Sequence, residues 1–336
     1  MIVVTGGAGF IGYNLVKKLV ESGYKEIVVV DNNPERFVLN VSKDINDFSN
    51  VGFEVMSVED SYLWLEFNKY HIDAVFHLGA RTDTTEKDWR IFEHLNLNYS
   101  KLIWNLCSET DIPMIYASSA ATYGDGEDGF DDEDTISNLK PLNPYGWSKQ
   151  HFDLYVLDNA NIDGFYDVKE NKPSFWVGLK FFNVYGNHEQ HKGKMASVIW
   201  HFYNQIIKTG EVKLFRSHVD WCDDGEQNRD FIYVDDVVNT LIFLYNRRKS
   251  IPSDIYNLGT GYARTYNDLA RAIFKSLGKE EKISYIDTPL EIRDSYQYHT
   301  RAKMNKLAQQ ILWGGFKTLE EGVELYINQL LENENC

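Results

Sequence analysis

The sequence predicts an α/β fold with a doubly wound parallel sheet and a smaller, discontinuous C-terminal domain. Short apolar runs rich in β-branched residues recur through the first half, as in MIVVTG, EIVVVD, DAVFHLGA and MIYASS. Segments with helical spacing, such as NLVKKLVESG and HLNLNYSKLIWNLCSET, separate these runs. Continuous apolar strands that alternate with helices are typical of a parallel sheet that is buried on both faces.

The later part of the chain is less regular. MASVIWHFYNQIIKTG and YNDLARAIFKSLG have helical spacing, and acidic stretches such as VDWCDDGEQN lie between them. RDFIYVDDVVNTLIFLYN predicts a short strand and then an amphipathic helix that begins at Asp235 and returns to the core. The acidic run DGEDGFDDEDT predicts a solvated, mobile flap.

Composition and charge exclude several classes of partner. The chain has 336 residues, and its 34 basic and 50 acidic side chains give a net charge of −16. This balance argues against binding to nucleic acid and against a general attraction to anionic membranes. Cys107, Cys222 and Cys336 form neither a disulfide framework nor a zinc pattern. Since no signal peptide or membrane span is recognisable, we expect a cytoplasmic protein.

A glycine-rich turn between the first strand and the first helix predicts a dinucleotide site. VVTGGAGFIG places Gly6, Gly9 and Gly12 three residues apart. Small residues let the backbone approach a pyrophosphate, whose charge is stabilised by the helix N-terminus. Asp31 follows the second strand about twenty residues later, where a ribose-binding acid belongs. Together these features predict a Rossmann-type sheet that binds a nicotinamide dinucleotide.

The kind of dinucleotide depends on two residues. Asp31 favours a free ribose 2′-hydroxyl, whereas Arg36 could neutralise a 2′-phosphate. These two residues leave both NADP and NAD open.

The domain division follows from these assignments. Residues 1–182 and about 228–260 are expected to form the NAD(P)-binding Rossmann domain. About 183–227 and 261–336 are expected to form the substrate-binding domain, with the ligand site in the cleft between the two.

A tyrosine, a lysine and a serine predict hydride chemistry. Tyr145 and Lys149 lie four residues apart in PLNPYGWSK, so on a helix they share one face. An ammonium near a phenol favours the phenolate, and we expect it to lower the pKa of Tyr145 toward neutrality. Tyr145 could then take the proton of a carbinol while hydride leaves for nicotinamide, and Ser119 could donate to the same oxygen.

At this point the chain resembles the extended short-chain dehydrogenase/reductase family, the NAD-dependent epimerases and dehydratases. The matching segments are TGGAGFIG, HLGA, SSAATYG, PYGWSK, FFNVYG, RDFIYVDDV and NLGTG, and they occur in order across nearly the whole chain. Within the family, ASSAATYG and FFNVYGNHEQHKGKMASV are most similar to epimerases that invert C6 of an ADP-activated manno-heptose. The resemblance implies a nucleotide-sugar substrate, tightly bound NADP and a homo-oligomer, by likeness a pentamer.

The resemblance also implies roles for individual residues. Those expected at the cofactor, besides the residues above, are Phe10, Ile11, Asn32, Leu78, Gly79, Ala80, Arg81, Asn96 and Val184. Tyr145, Lys149 and Lys192 are expected to touch the cofactor as well as to act in catalysis. Those expected at the substrate are Ser119, Asn183, Lys194, His201, Phe215, Arg229 and Tyr296.

The loop GNHEQHKGKMAS is assigned by the same likeness. Lys192 occupies the position of a second acid/base, across the substrate from Tyr145; a phosphate clamp or a solvated lysine is the alternative. No metal is expected at His188 and His191, because Glu189 is a poor complement to two imidazoles and hydride transfer needs no metal.

Several positions depart from the family pattern. Lys194 replaces an expected small residue, Arg81 is bulkier than expected, and HVDWCDDGEQN looks like an insertion before Arg229. Arg229 could also form a structural ion pair with Asp230 or Asp235.

Four other functions compete with the C6 epimerase. A 4,6-dehydratase is disfavoured because Ala120 and Ala121 stand where dehydratases carry an Asp-Glu pair. A 4-epimerase or a GDP-heptose epimerase is harder to separate, although a 4-epimerase leaves Lys192 without a role. A non-catalytic nucleotide sensor is disfavoured by the intact Ser119, Tyr145 and Lys149.

Overall fold

The computed structural model describes residues 1–42, 44, 46–133, 136–157, 172–293, 296–311 and 315–334. The chain divides into two compact units. The first unit comprises Met1–Gly124, Asp132–Phe181 and Val238–Tyr256, and the second comprises Asp125–Asp131, Phe182–Val237 and Asn257–Cys336. Residues 228–237 and 257–260, which the sequence placed with the nucleotide-binding domain, therefore group with the second unit.

The strands are β1 (Ile2–Thr5), β2 (Ile27–Asp31), β3 (Val51–Val55), β4 (Ala74–His77), β5 (Met114–Ser119), β6 (Trp176–Phe181), β7 (Asn183–Tyr185), β8 (Val212–Phe215), β9 (Asn228–Tyr233), β10 (Asp254–Leu258), β11 (Ala263–Thr265) and β12 (Ile283–Ile286). The α-helices are α1 (Phe10–Glu21), α2 (Pro34–Val41), α3 (Val58–Asn68), α4 (Trp89–Phe92), α5 (Tyr99–Thr110), α6 (Pro144–Val156), α7 (Val198–Thr209), α8 (Val234–Asn246), α9 (Tyr266–Ser276), α10 (Leu290–Arg293), α11 (Asn305–Ala308) and α12 (Leu319–Glu334).

In the described residues, seven strands form one sheet in the order β10-β6-β5-β4-β1-β2-β3. The pairs from β6 to β3 are parallel, and β1 and β4 are buried along their whole length. The order changes direction at β1, so the strands on its two sides are reached by opposite windings. The predicted doubly wound parallel sheet is confirmed, and its strand ends put the glycine turn, Asp31 and Ser119 at one edge.

Among its described residues, the second unit has two smaller sheets. One has the order β11-β9-β7, with β7 parallel and β11 antiparallel to β9, and the other pairs β8 with β12 in parallel. Helices α7 and α12 both contact α9. The helical segments predicted in this half of the chain correspond to α7, α9 and the α8 that follows β9.

Two local predictions need correction. The segment predicted as one helix, residues 94–110, begins within a π-helical turn, Glu93–Asn98, and continues as α5. The acidic run is not simply a solvated flap, because Phe130 is buried and its carbonyl accepts hydrogen bonds from the Asn257 amide (2.8 Å) and the Lys303 backbone amide (3.1 Å). Residues 134 and 135 of this run lie outside the described residues.

No helix in the described ranges is both long enough and apolar enough to cross a membrane.

A buried carboxylate fastens α6 to the sheet. The side chains of Asp153 and Lys180 are both 0% exposed, and their charged atoms lie 2.6 Å apart. Asp153 also accepts hydrogen bonds from the hydroxyls of Ser118 (2.7 Å) and Tyr116 (3.1 Å). Lys180 donates to the Thr122 hydroxyl at 2.8 Å. One side chain of α6 is therefore connected to both β5 and β6.

Asp153→Asn should leave the Lys180 ammonium buried without its counter-charge. We expect the free energy of unfolding to fall by about 3–5 kcal/mol, measured by urea denaturation. Removing both charges in Asp153→Asn/Lys180→Met should restore part of that loss. The exposed pair of Arg216 and Asp287 offers a control, since Asp287→Asn should leave the denaturation midpoint unchanged. Equal losses in the buried and exposed single variants would contradict this interpretation.

Candidate active site

The glycine turn forms a tight cradle at the start of α1. Gly6 has φ of +70°, and a Cβ there would lie 2.6 Å from the Gly79 Cα. A Cβ on Gly12 would lie 2.1 Å from the Gly6 carbonyl oxygen, so neither position accepts a side chain. Gly9 precedes α1 without a side-chain cap. A helix N-terminus without a side-chain cap, next to a turn this tight, fits a dinucleotide pyrophosphate.

Phe10 and Ile11 begin α1. The Phe10 side chain is buried in the core, so its predicted contact with the cofactor concerns the backbone amide.

Asp31 closes one side of this cradle from the end of β2. Its two oxygens accept hydrogen bonds from the backbone amides of Ala8 and Asn33, both at 3.0 Å. Burial raises the pKa of the Asp31 carboxyl, and the nearby Arg36 charge opposes that rise. Arg36 lies in the first turn of α2, where its amide donates to the Asn33 side chain at 3.0 Å. Asn32, between them, is exposed.

Asn96 supports the turn that follows β4. It sits in the π-helical turn, is 1% exposed, and exchanges two hydrogen bonds with the Arg81 backbone at 2.7 and 3.0 Å. Its amide also donates to the Ser148 hydroxyl of α6 at 3.0 Å. An extra residue in a helix is a frequent feature of functional sites. Here it turns Asn96 inward and connects the turn before Arg81 to the helix that carries Tyr145.

The side chain of Arg81 itself is exposed and pairs with Asp83 at 3.2 Å, so it does not crowd the turn that it follows. Leu78, Gly79 and Ala80, the other residues expected beside the cofactor there, are partly exposed.

His77 was missed by the sequence analysis. It is buried at the end of β4, and its two ring nitrogens lie 2.7 Å from the Thr5 hydroxyl and 2.9 Å from the Ser100 hydroxyl. The Gly79 amide donates to the same Thr5 oxygen at 3.3 Å. Burial, aided by the charge of Lys149, lowers the pKa of His77 to about 3, so the ring is neutral. Through the Thr5 hydroxyl it orients the glycine turn after β1 and the turn after β4. The sequence signal that could have identified it is a histidine at the end of a strand, two residues before Gly79.

The catalytic candidates of the first unit meet at α6. Tyr145 and Lys149 lie in its first two turns, and Asn143 caps it by accepting from the Gly146 amide at 2.8 Å. Ser119 lies at the end of β5, near enough to the Tyr145 phenol for its side chain to lower the pKa of that phenol. The Lys149 ammonium donates to the Ala117 carbonyl at 2.9 Å. The predicted Ser-Tyr-Lys group is therefore brought together by one helix and one strand.

The expected lowering of the Tyr145 pKa is not observed. Burial raises the pKa of Tyr145, and the Ser119 hydrogen bond only partly offsets it. Burial lowers the pKa of Lys149 to about 8, against the opposing charge of Asp153. The physical reason is that desolvation disfavours the charged form of both groups and outweighs the other contributions.

The loop that carries Lys192 is a short, kinked 3₁₀ turn, Gln190–Met195, rather than an irregular loop. Its kink lies at Gly193, with φ of 54°. Lys192 is half-buried, which lowers the pKa of its ammonium, while the buried Glu189 opposes that change. In the described part of the chain, no group of three or more His, Cys, Asp or Glu side chains is placed to hold a metal ion.

The predicted substrate residues beside this loop also lie in the second unit. The Asn183 amide donates to the Asp230 carbonyl at 3.2 Å, and Val184 follows it in β7. His201 lies in α7 with its Nε2 atom 3.3 Å from the Lys194 carbonyl oxygen, and the Lys194 side chain is exposed.

Arg229 lies between two aromatic rings. Its guanidinium is 5.8 Å from the Tyr266 ring centre and 5.7 Å from that of Tyr296, and it donates to the carbonyls of Asn228 (2.8 Å) and Gln297. These contacts use backbone carbonyls rather than a neighbouring carboxylate. The two rings and the two carbonyls hold the guanidinium in a fixed position.

The Asp230 carboxylate binds elsewhere: it accepts hydrogen bonds from the backbone amides of Thr260, Gly261 and Ala302.

The predicted insertion adds aromatic surface next to these rings. Phe215 and Tyr296 have ring centres 6.4 Å apart. Within the insertion, His218 packs against both Tyr296 and Tyr298, and Trp221 lies 4.8 Å from Tyr298 while remaining 72% exposed. The insertion is thus attached to the cluster that contains Phe215 and Tyr296.

Gly12→Ala should abolish dinucleotide binding, because the new methyl group would overlap the Gly6 carbonyl. We expect no saturable binding of NADP or NAD by titration calorimetry. Gly52→Ala is a matched control, since its Cβ would meet only ordinary contacts, the nearest at 3.5 Å. Wild-type affinity in Gly12→Ala would exclude the turn as the cofactor cradle.

Comparisons with known proteins agree with this geometry. The NAD dependent epimerase/dehydratase family matches residues 2–259. The chain is 42% identical to ADP-L-glycero-D-manno-heptose-6-epimerase from Fusobacterium nucleatum, over 100% of this chain and 99% of that protein. It is 44% identical to the protein of the same name from Nitratidesulfovibrio vulgaris, over 98% of each.

Among solved structures, Helicobacter pylori ADP-L-glycero-D-manno-heptose-6-epimerase superposes with a TM-score of 0.77 and 28% identity, covering 98% of this chain and 96% of that one. The chain belongs to the NAD-dependent epimerase/dehydratase family.

Proposed function

We propose that the protein epimerises C6 of an ADP-activated heptose, converting ADP-D-glycero-D-manno-heptose to ADP-L-glycero-D-manno-heptose. The observation that carries the proposal is the placement of Ser119 at the end of β5 and of Tyr145 and Lys149 on α6, in a chain more than 40% identical to proteins of that name over nearly full length. The reaction is an isomerisation by transient oxidation, so no net oxidant is consumed.

The protein uses a nicotinamide cofactor. The cradle at Gly6, Gly9 and Gly12 fits its pyrophosphate, and Asp31 lies where the ribose of the adenosine would be held. When bound, the nicotinamide accepts a hydride from the sugar carbon and returns it.

Tyr145 is proposed to move the proton of the reacting hydroxyl. Its phenol must lose a proton before it can accept one, and burial resists that loss. Positive charge on Lys149 favours the phenolate, and Ser119 donates to the oxygen on which negative charge develops. The backbone carbonyl of Ala117 accepts a hydrogen bond from the Lys149 ammonium and so holds it in position.

Lys192 is proposed as the second acid/base. Inversion removes hydrogen from one face of a carbon and returns it to the other, so the hydroxyl points in opposite directions before and after. A single side chain cannot easily reach both positions. Burial lowers the pKa of Lys192 and so makes proton release easier than from a solvated lysine.

The substrate is proposed to bind through the second unit. Arg229, held between Tyr266 and Tyr296, presents a cation suited to a diphosphate. Asn183, Lys194, His201 and Phe215 are proposed to contact the nucleotide sugar with it. A 4-epimerase is the second candidate function. It is disfavoured because Lys192 would have no role in that reaction.

NADP is the proposed form of the cofactor. Arg36 and the N-terminus of α2 lie together next to Asp31, and both favour a 2′-phosphate. We also propose a cytoplasmic homo-oligomer, with a pentamer as the expected state by light scattering.

Arg36→Ala tests the choice of cofactor. We expect the affinity for NADP to fall at least tenfold while the affinity for NAD stays unchanged, since only the 2′-phosphate loses its counter-charge. Dissociation constants from tryptophan fluorescence titration measure both. Equal losses for the two dinucleotides would indicate that Arg36 does not recognise a 2′-phosphate.

Tyr145→Phe and Lys192→Ala test the reaction. Each should lower kcat for ADP-heptose epimerisation by about 100- to 10,000-fold, because each removes a proton-transfer group. Lys208→Ala removes an exposed lysine from the last turn of α7 and is the control for loss of a positive charge, so it should leave kcat unchanged. Full activity in either test variant would refute the two-base mechanism.

Deuterated water separates hydride return from deprotonation. C6 should invert without uptake of solvent deuterium, observed by NMR of the product. Deuterium at C6 would overturn the oxidation mechanism.

A further inference from the structure

We propose that Glu189 is the positioning residue for Lys192, holding both the loop that carries it and its charge state. The inference rests on the proposed role of Lys192 as second acid/base. It concerns a residue that the sequence analysis considered only as an unsuitable metal ligand.

One carboxylate ties the two ends of the loop together. Glu189 Oε1 accepts from the Gly186 amide at 3.3 Å and from the Ser197 hydroxyl at 2.6 Å, and Oε2 accepts from the Ser197 amide at 2.6 Å. Gly186 and Ser197 are the residues at the two ends of the loop. Cutting these bonds would open the loop at both ends at once.

The backbone of Glu189 starts the turn itself. Its carbonyl accepts from the Lys192 amide at 2.9 Å, which forms the first hydrogen bond of the 3₁₀ turn. Ser197 caps α7, with its hydroxyl accepting from the Trp200 amide at 3.4 Å. Lys192 is therefore attached, through Glu189, to a long helix of the second unit rather than to a loose segment.

The position of Glu189 makes this attachment costly to lose. Its side chain is 0% exposed, so each lost hydrogen bond would leave a buried polar group without a partner. Gly186 has φ of +143°, and a Cβ there would lie 2.5 Å from the Val234 Cγ1 atom, so this end of the loop has little room to relax.

The charge of Glu189 acts on two neighbouring groups. It opposes the lowering of the Lys192 pKa that burial causes, and Lys192 in turn opposes the raised pKa of Glu189. The Tyr326 phenol of α12 also faces it; burial and the Glu189 charge raise the pKa of Tyr326, so this phenol stays neutral. Glu189 therefore favours the protonated form of Lys192, which is the form that can deliver a proton.

Glu189→Gln keeps the shape of the side chain and removes its charge and one acceptor oxygen. In the direction of turnover in which Tyr145 takes a proton from the substrate and Lys192 delivers one, we expect kcat to fall about 10- to 100-fold. We also expect the alkaline limb of the pH–kcat profile to move to lower pH, because Lys192 loses its proton more easily. Glu211→Gln, the same change at the turn after α7, should leave both unchanged.

A readout independent of activity is the pH dependence of Lys192 acetylation, measured by mass spectrometry after a brief pulse of acetic anhydride. In Glu189→Gln, Lys192 should react at lower pH than in the wild type. The exposed Lys194, two residues away, is the internal reference and should not change. Unchanged acetylation of Lys192 would overturn the proposal, whereas full activity of Lys192→Ala would overturn only the two-base mechanism.

Ser197→Ala separates attachment from charge and also serves if Glu189→Gln does not fold. It removes the hydroxyl that Glu189 binds and leaves both charges, so kcat should fall while the alkaline limb stays in place. Thr265→Ala removes the same kind of helix cap from α9 and should preserve kcat. An unchanged kcat in Ser197→Ala would contradict the attachment.

Discussion

Asp153 binds three buried partners on two strands, in a place where its side chain and that of Lys180 have no exposure to water. Helix α6 cannot slide along the sheet without leaving these groups unpaired, which is expensive in a medium of low dielectric. Tyr145 and Lys149 lie on the same helix, and Ser119 follows Ser118 directly in β5. The geometry of the catalytic candidates in the first unit therefore depends on this interaction.

The buried Asp153 also sets which charges lie close together in this part of the first unit. Lys149 and Lys180 bring two ammonium groups to the neighbourhood of Asp153, while burial keeps His77 neutral. A chain with a net charge of −16 thus keeps two ammonium groups and one carboxylate together in the interior of its first unit. Their charges do not overcome burial at Tyr145, whose pKa is raised.

A second buried carboxylate, Glu189, fulfils a parallel task in the second unit. Each acid accepts hydrogen bonds from more than one element and lies near a lysine with a lowered pKa. In each case burial would push the lysine toward its neutral form, and the carboxylate limits that tendency. Lys149 and Lys192 are thus each accompanied by a buried carboxylate.

Local periodicity and spacing along one helix were enough to predict the alternation of strands and helices in the first half of the chain, the glycine turn, Asp31 and the Ser119–Tyr145–Lys149 group. Only the tertiary structure decided the roles of His77, Asp153 and Glu189, the π-helical turn at Asn96, the aromatic setting of Arg229 and the raised pKa of Tyr145. The physical reason is that burial and hydrogen-bond partners are set by residues far apart in the chain. A carboxylate that looks like surface charge in a sequence becomes a structural centre only when distant elements enclose it.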